Sequence, residues 1–153
     1  MARPRTSRKR TPAEVGRTLG FRSGLEASVS AQLAAANVAF TYEAKKIEYE
    51  VPSRKAKYTP DFILPNGIVI ETKGRFVTAD RQKHVLLRKQ YPDLDLRFVF
   101  SNSRNRISKT SKTTYAKWCE THDFQYADKL IPQAWLKEPK EKWKIHALAQ
   151  ITL

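Results

Sequence analysis

The amino-acid sequence predicts an α/β fold, with short strands and amphipathic helices alternating along one domain. The first observation is a pair of apolar segments joined by Pro65-Asn66-Gly67, which is typical of a β-hairpin. The second is the helical spacing of apolar residues between residues 23 and 36. The third is the apolar segment at residues 94–100, which has the length and composition of a buried strand.

The composition narrows the class of protein. The chain has 153 residues, 41% of them hydrophobic, enough for one folded domain with a core. Its 29 Lys and Arg residues against 15 Asp and Glu residues give a net charge of +14, which favours a polyanionic partner such as nucleic acid. No apolar segment approaches the roughly 20 residues of a membrane span, and no hydrophobic signal core follows the basic N-terminus. We therefore expect a cytoplasmic protein with no membrane partner.

Residues 1–20 are predicted to form a flexible basic arm that contacts phosphates. The segment shows little apolar periodicity, and Glu14 is its single acidic residue. The basic residues that we expect to contact DNA here are Arg3, Arg5, Arg8, Lys9, Arg10 and Arg17.

A helix is predicted to follow from Ser23 to about Ala36. Ser23 precedes Glu26 by three residues, which is the capping-box pattern of a helix N-terminus. This pattern alone gives Glu26 a structural role. The apolar residues at helical spacing are Leu25, Val29, Leu33 and Ala36.

Alternating apolar residues at 38–51 predict two strand segments, separated by a charged break at residues 43–46. Residues 52–57 are polar and basic, and we predict a connection there. After Gly74, Thr78 or Asp80 is expected to cap a helix that runs to Gln90 and stops at Tyr91-Pro92.

Residues 94–100 are predicted to form a buried strand, and residues 101–117 lead into a helix that includes Tyr115 and Trp118. Residues 101–117 contain no acidic residue, which favours phosphate contact. A strand at 124–126 and a short helix at 132–136 are expected next. The last ten residues are hydrophobic, and we expect packing or a dimer contact there as readily as DNA binding. The residues that we add to the DNA-binding set are Arg22, Arg104, Arg106, Lys109 and Lys112.

The hairpin at residues 60–73 carries the candidate chemistry. If Pro65-Asn66-Gly67 form a three-residue loop closed by Gly67 in the left-handed region, Leu64 pairs with Ile68 and Asp61 pairs with Glu71. A two-residue loop shifts the register by one residue, and Glu71 then points to the opposite face. Only the first register creates a joint site.

Carboxylates on directly opposed residues repel unless a positive charge compensates them. A divalent cation is the natural compensation, and oxygen ligands favour Mg²⁺ or Mn²⁺ over zinc. Lys73 returns to the same face two residues after Glu71 and can support an attacking water or a phosphate oxygen. The alternative is a surface hairpin on which Glu71 and Lys73 form a solvated pair.

Five segments, in their order and spacing, resemble the bacteriophage endonuclease I family, within the PD-(D/E)xK superfamily of restriction-like nucleases. They are F-R-S-G-L-E from Phe21, Y-T-P-D-F from Tyr58, L-P-N-G-I from Leu64, E-T-K-G from Glu71 and A-D-K-L-I-P from Ala127. The resemblance covers about residues 21–140. It implies a restriction-endonuclease-like mixed sheet flanked by helices, in a domain-swapped homodimer that cleaves four-way (Holliday) DNA junctions with Mg²⁺.

Carried over from that family, Asp61 and Glu71 would bind one metal ion with the backbone carbonyl of Thr72. Asp61 would also bind a second ion with Glu26, while Lys73 completes the catalytic set. In the family this glutamate comes from the other subunit, so Glu26 would complete the partner's site. The resemblance therefore implies two Mg²⁺ ions for each active site, with Mn²⁺ as a substitute.

The resulting organisation is a basic arm at 1–20, a nuclease domain at 21–140 and a C-terminal tail at 141–153, with residues 21–51 exchanged between subunits. The expected function is a metal-dependent endodeoxyribonuclease that resolves branched DNA by paired incisions in the host cytoplasm. Two alternatives stay open. One is another nuclease of the superfamily, such as a mismatch or restriction-like enzyme. The other is a catalytically silent DNA-binding protein with the same fold.

Overall fold

The computed structural model describes residues 20–152. The six basic residues predicted for the N-terminal arm lie outside this range. The helices are α1 (Gly24–Ala35), α2 (Thr78–Gln90), α3 (Tyr115–Thr121), α4 (Gln133–Leu136) and α5 (Lys142–Ile151). The strands are β1 (Thr41–Tyr42), β2 (Ile47–Val51), β3 (Arg54–Tyr58), β4 (Phe62–Ile63), β5 (Val69–Lys73), β6 (Leu96–Phe100) and β7 (Tyr126–Asp128).

Five strands form a mixed sheet in the order β1-β4-β5-β6-β7. The pairs β1–β4 and β4–β5 are antiparallel, whereas β5–β6 and β6–β7 are parallel. The parallel pairs follow the α2 and α3 crossovers, which connect strands that run in the same direction. β2 and β3 form a separate antiparallel pair. The predicted α/β fold with a mixed sheet flanked by helices is confirmed.

The β4–β5 hairpin adopts the register that the three-residue loop predicts. Phe62 pairs with Ile70, and the N–H of Leu64 donates to the Ile68 carbonyl at 2.9 Å. Gly67 has a φ of +88°, a left-handed conformation that glycine adopts without steric cost. Continued outward, this register places Asp61 opposite Glu71.

Both faces of the sheet are covered, which explains why the interior strand β6 is buried along its whole length and apolar except for Arg97. On one face, Phe98 and Phe100 pack with Phe76, Trp118 and other residues of the larger core cluster. On the other face, side chains of α1 and α4 cover the hairpin strands. The buried residues of this second cluster are Val29, Leu33, Phe62, Leu64, Ile68, Ile70, Val99, Ile131 and Trp135.

Helix α1 begins where the capping pattern predicts, but only half of the reciprocal capping box forms. Ser23 Oγ accepts a hydrogen bond from the Glu26 N–H at 3.1 Å. The Glu26 carboxylate accepts from the N–H of Arg22 at 2.9 Å, one residue before the position that a capping box requires. The Glu26 carboxylate therefore binds the residue before the N-cap, and not the N–H of Ser23 itself.

Three predicted boundaries are wrong. Residues 54–57 were expected to be part of a connection, yet they belong to β3, because pairing with β2 compensates for a sequence with little apolar alternation. The strand expected at 124–126 begins at Tyr126. Neither Thr78 nor Asp80 caps α2, because Val77 occupies the N-cap position without a side-chain hydrogen bond.

The hydrophobic C-terminal segment folds as α5 and packs on the domain. Leu148 is buried in the larger core cluster, and Lys144 Nζ lies 2.9 Å from an Asp95 carboxylate oxygen. A Cβ added to Gly67 would lie 2.8 Å from the Lys144 Cβ, so α5 closely covers the hairpin turn. This supports the packing role expected for the tail. Within residues 20–152, no helix has the length and apolarity to cross a bilayer.

Candidate active site

Asp61 lies immediately before β4 and is 5% exposed. Its Oδ2 accepts hydrogen bonds from the N–H and the Oγ1 of Thr72, both at 2.8 Å. The pKa of Asp61 is raised to about 7, first by burial and then by the nearby charge of Glu71, while the Thr72 hydrogen bonds act in the opposite direction. A carboxylate with such a pKa lacks adequate compensation by positive charge in the metal-free chain.

Glu71 lies in β5 and is 4% exposed. Its Oε2 accepts a hydrogen bond from the Tyr58 hydroxyl at 2.5 Å, while Oε1 lies 3.2 Å from Lys73 Nζ. Burial raises the pKa of Glu71, although the charge of Lys73 and the Tyr58 hydrogen bond partly offset this effect. The two contacts fix the orientation of the carboxylate within the sheet.

Lys73 occupies the edge of the site between two carboxylates. Its Nζ lies 3.2 Å from Glu71 and 3.3 Å from Asp80 Oδ1 on helix α2. Burial favours the neutral amine, but the charges of Glu71 and Asp80 outweigh this and raise the pKa of Lys73. The side chain therefore remains protonated near neutral pH, which suits interaction with a phosphate oxygen better than removal of a proton from water.

Asp80 joins the site although the sequence suggested only a helix cap. Its side chain pairs with Lys73 from α2 and also lies 3.6 Å from Lys83 Nζ. The i,i+3 spacing to Lys83 was visible in the sequence. The contact with Lys73 was not, because it depends on the packing of α2 beside the end of β5.

Glu26 converges on Asp61 from helix α1. Its Oε2 accepts hydrogen bonds from the Tyr42 hydroxyl at 2.5 Å and from the Arg22 N–H at 2.9 Å. Carboxylate oxygens of Glu26, Asp61 and Glu43 all lie within 4.8 Å of one another. In the single chain, Glu26 therefore reaches the Asp61 of its own chain. Exchange of this segment between subunits stays a prediction.

Glu43 was missed by the sequence analysis, where it was part of a charged break between strands. It follows β1 directly, and the β1–β4 register, continued by one residue, places Glu43 opposite Asp61. The backbone N–H of Glu43 donates to the Asp61 carbonyl at 3.3 Å. The signal lay in the pairing of β1 with β4, which a single sequence does not reveal.

The predicted basic loop lies beside the end of β5. Arg106 and Lys109 line a groove together with Arg75, which follows Lys73 by two residues. Arg104 and Lys112 are exposed on the same loop but do not line the groove. Arg22 is largely exposed, and its guanidinium lies 3.4 Å from Glu43. Arg22 is therefore paired with a carboxylate. The other four residues predicted to bind DNA in this part of the chain are exposed and form no ion pair within residues 20–152: Arg104, Arg106, Lys109 and Lys112.

The site combines buried carboxylates, a protonated lysine and a nearby basic groove. Carboxylate oxygens are the ligands that Mg²⁺ and Mn²⁺ prefer, and Asp61 lies between Glu71 on one side and Glu26 on the other. Such an arrangement can hold cations against a phosphodiester and surround the phosphate with positive charge.

Comparison with known proteins gives a consistent result. Residues 6–152 match the family model described as phage endonuclease I. Endonuclease I of Escherichia phage T7 is 52% identical over 122 residues, which cover 80% of this chain and 82% of that protein. Endodeoxyribonuclease 1 of Enterobacteria phage T3 is 54% identical over 122 residues, which cover 80% of each. The matched residues include the whole site described above.

Proposed function

We propose that this chain, which belongs to the phage endonuclease I family, is a metal-dependent endodeoxyribonuclease that cleaves branched DNA and resolves four-way (Holliday) junctions. Both relatives are named for endonuclease activity, which supports DNA cleavage directly. The observation that carries the proposal is the placement of Asp61, Glu71 and Lys73 on one hairpin, with Glu26 beside Asp61. We propose the host cell cytoplasm as its location, where a phage nuclease meets DNA.

The residues fit a Mg²⁺ or Mn²⁺ site. Asp61 and Glu71 would hold one ion together with the Thr72 backbone carbonyl, and Asp61 and Glu26 would hold a second. The raised pKa of Asp61 supports this assignment, because a cation would supply the positive charge that the buried carboxylate lacks. Bound ions of this kind activate water and neutralise charge on the phosphoryl group during in-line hydrolysis.

The protein side chains have separate tasks in that reaction. Lys73 would bind a phosphate oxygen, because Glu71 and Asp80 keep its ammonium charged. Tyr58 and Thr72 would position Glu71 and Asp61, since each donates a hydrogen bond to one of these carboxylates. Such hydrogen bonds hold the carboxylates in place before the substrate binds, so the carboxylates do not have to reorient during the reaction.

DNA would approach over the basic groove beside β5. Arg106 and Lys109 are the predicted phosphate contacts closest to the site, and Arg75 extends the same surface. We also propose phosphate contacts for the basic arm residues from Arg3 to Arg17, because of their positive charge. Contacts to phosphates locate the backbone without reading bases, which suits recognition of a branch by shape.

We further propose a homodimer in which residues 21–51 are exchanged. Strands β2 and β3 are joined by a turn at Pro52-Ser53, and α1, β1 and β2 all precede it. If this turn opened, residues 21–51 of one subunit could pack on the other subunit. Glu26 of one chain would then contact the partner's Asp61 in the same way as it contacts Asp61 within the single chain. A dimer presents two related sites, which suits paired incisions across a roughly symmetric junction.

The test is a cleavage assay on a labelled four-way junction and on a linear duplex with the same arm sequences, with Mg²⁺ or with EDTA. We expect Mg²⁺-dependent cleavage of the junction and much slower cleavage of the duplex. Equal cleavage of both would favour another nuclease of the superfamily. Binding without cleavage in Mg²⁺ and in Mn²⁺ would favour a silent DNA-binding protein.

A further inference from the structure

We propose that Glu43 is a further metal ligand, which binds the second cation together with Glu26 and Asp61. The inference rests on the proposed function, because it concerns the same metal site. It adds a third carboxylate to the two that the family resemblance assigned to that cation. None of the sequence motifs that carry the resemblance contains Glu43.

The position of Glu43 follows from the sheet. Tyr42 pairs with Phe62 in the antiparallel β1–β4 pair, so the next residue lies opposite Asp61. The hydrogen bond from the Glu43 N–H to the Asp61 carbonyl, at 3.3 Å, continues this pairing beyond the strand. The two side chains therefore start from adjacent backbone positions, and this proximity does not depend on a long flexible side chain.

One oxygen of Glu43 has no hydrogen-bond donor. Oε1 is buried from solvent and accepts no hydrogen bond from the described residues. Arg22 Nη1 lies 3.4 Å from this same oxygen, at ion-pair distance but without a hydrogen bond. The Arg22 side chain is 73% exposed and that of Glu43 is 24% exposed, so solvent screens the attraction. The other ligand candidates differ, since Tyr42, Thr72 and Tyr58 each donate to one of their carboxylates. A buried carboxylate oxygen without a donor is an atom that a cation would satisfy.

The distances also suit one cation. Ligand oxygens on opposite sides of Mg²⁺ are separated by about 4.2 Å, twice its coordination distance, and the corresponding separation for the larger Ca²⁺ reaches about 5 Å. The oxygens of Glu26, Glu43 and Asp61 lie within 4.8 Å of one another. Three oxygens with these separations all lie within about 2.8 Å of one point, so movements of less than about 1 Å would bring them to the roughly 2.1 Å ligand distance of Mg²⁺.

The arrangement is independent of whether the N-terminal segment is exchanged. Glu26 and Glu43 both precede the turn between β2 and β3, whereas Asp61 follows it. Exchange would move Glu26 and Glu43 together onto the partner's Asp61, and the three carboxylates would still meet. The prediction for metal binding is thus the same for a closed monomer and for a swapped dimer.

The test is Mn²⁺ binding to the DNA-free full-length chain by isothermal titration calorimetry, with circular dichroism as a check of folding. We expect two ions for each site in the wild type. Glu43→Gln should keep the ion held by Asp61 and Glu71 but weaken the second by about tenfold or more, since loss even of indirect support for a metal ligand costs about 10- to 100-fold. Glu26→Gln should weaken the same ion.

Two controls make the result specific. Glu48→Gln removes an exposed carboxylate from β2 and should leave both affinities unchanged. Arg22→Gln removes the ion-pair partner of Glu43 and should leave Mn²⁺ binding intact or strengthen it. Wild-type affinities for both ions in a folded Glu43→Gln variant would overturn the inference, and so would a wild type that binds only one ion for each site. A wild type that binds no Mn²⁺ and cleaves no DNA would instead overturn the proposed function.

Discussion

Replacement of Asp61 by asparagine should stabilise the metal-free protein at neutral and basic pH. The folded-state pKa of Asp61 is about 7, against an ordinary value of 3.8. Between these values the folded state binds more protons than the unfolded state, so stability falls as pH rises from about 4 to about 7. Asparagine keeps an oxygen that can accept the Thr72 hydrogen bonds but carries no buried charge.

The size of the effect follows from the pKa difference. A difference of about 3 pH units corresponds to about 4 kcal/mol, which is an upper bound because neighbouring groups titrate with Asp61. Between pH 5 and pH 8 the wild type should lose about 2 to 3 kcal/mol of stability through this group, most of it below pH 7. We therefore expect the stability advantage of Asp61→Asn to be larger at pH 8 than at pH 5 by about that amount.

Urea denaturation in EDTA at pH 5 and pH 8, at one protein concentration, measures this difference. Asp93→Asn, at an exposed position, is the matched control and should behave like the wild type at both pH values. Added Mg²⁺ should stabilise the wild type at pH 8 and should stabilise Asp61→Asn much less. The reasoning would be refuted by an Asp61→Asn variant that is no more stable than the wild type in EDTA at pH 8.

Three further predictions concern catalysis, assembly and DNA binding. Tyr58→Phe removes the hydroxyl that donates a hydrogen bond to Glu71. Single-turnover junction cleavage should therefore slow about 10- to 100-fold, while junction affinity stays unchanged. An unchanged cleavage rate would exclude a positioning role for Tyr58. If residues 21–51 are exchanged, mixing Glu26→Ala with Asp61→Ala subunits should restore single-strand nicking, because one site of each heterodimer is then intact. Heterodimers that form but do not nick would exclude the exchange. Junction affinity should fall with salt by a log-log slope of about −0.9 for each phosphate contact, and deletion of residues 2–17 should make that slope shallower; an unchanged slope and affinity would show that the arm does not contact DNA.

The hairpin site was predictable because its register is set locally. The loop residues at 65–67 determine which residues face one another, and Asp61, Glu71 and Lys73 follow by counting along two strands. The start of α1 was predictable for the same reason, since Ser23 lies three residues before Glu26. Turn and cap chemistry act over a few residues, so one sequence contains the information.

The remaining features depend on contacts between distant segments. Glu43 meets Asp61 through the pairing of β1 with β4, and Asp80 meets Lys73 through the packing of α2. Strand β3 has too little apolar alternation to predict a strand, and pairing with β2 decides its conformation. Such contacts are set by the tertiary fold, which overrides local propensity.

The central claim is that the hairpin carboxylates are required for chemistry and not for DNA binding. Junction binding in Ca²⁺ and single-turnover cleavage in Mg²⁺ should be measured for the wild type, Asp61→Ala and Glu71→Ala. We expect both variants to lose cleavage and to bind the junction with wild-type affinity or better, since neither change removes a basic phosphate contact. Cleavage by Asp61→Ala at close to the wild-type rate would contradict the account.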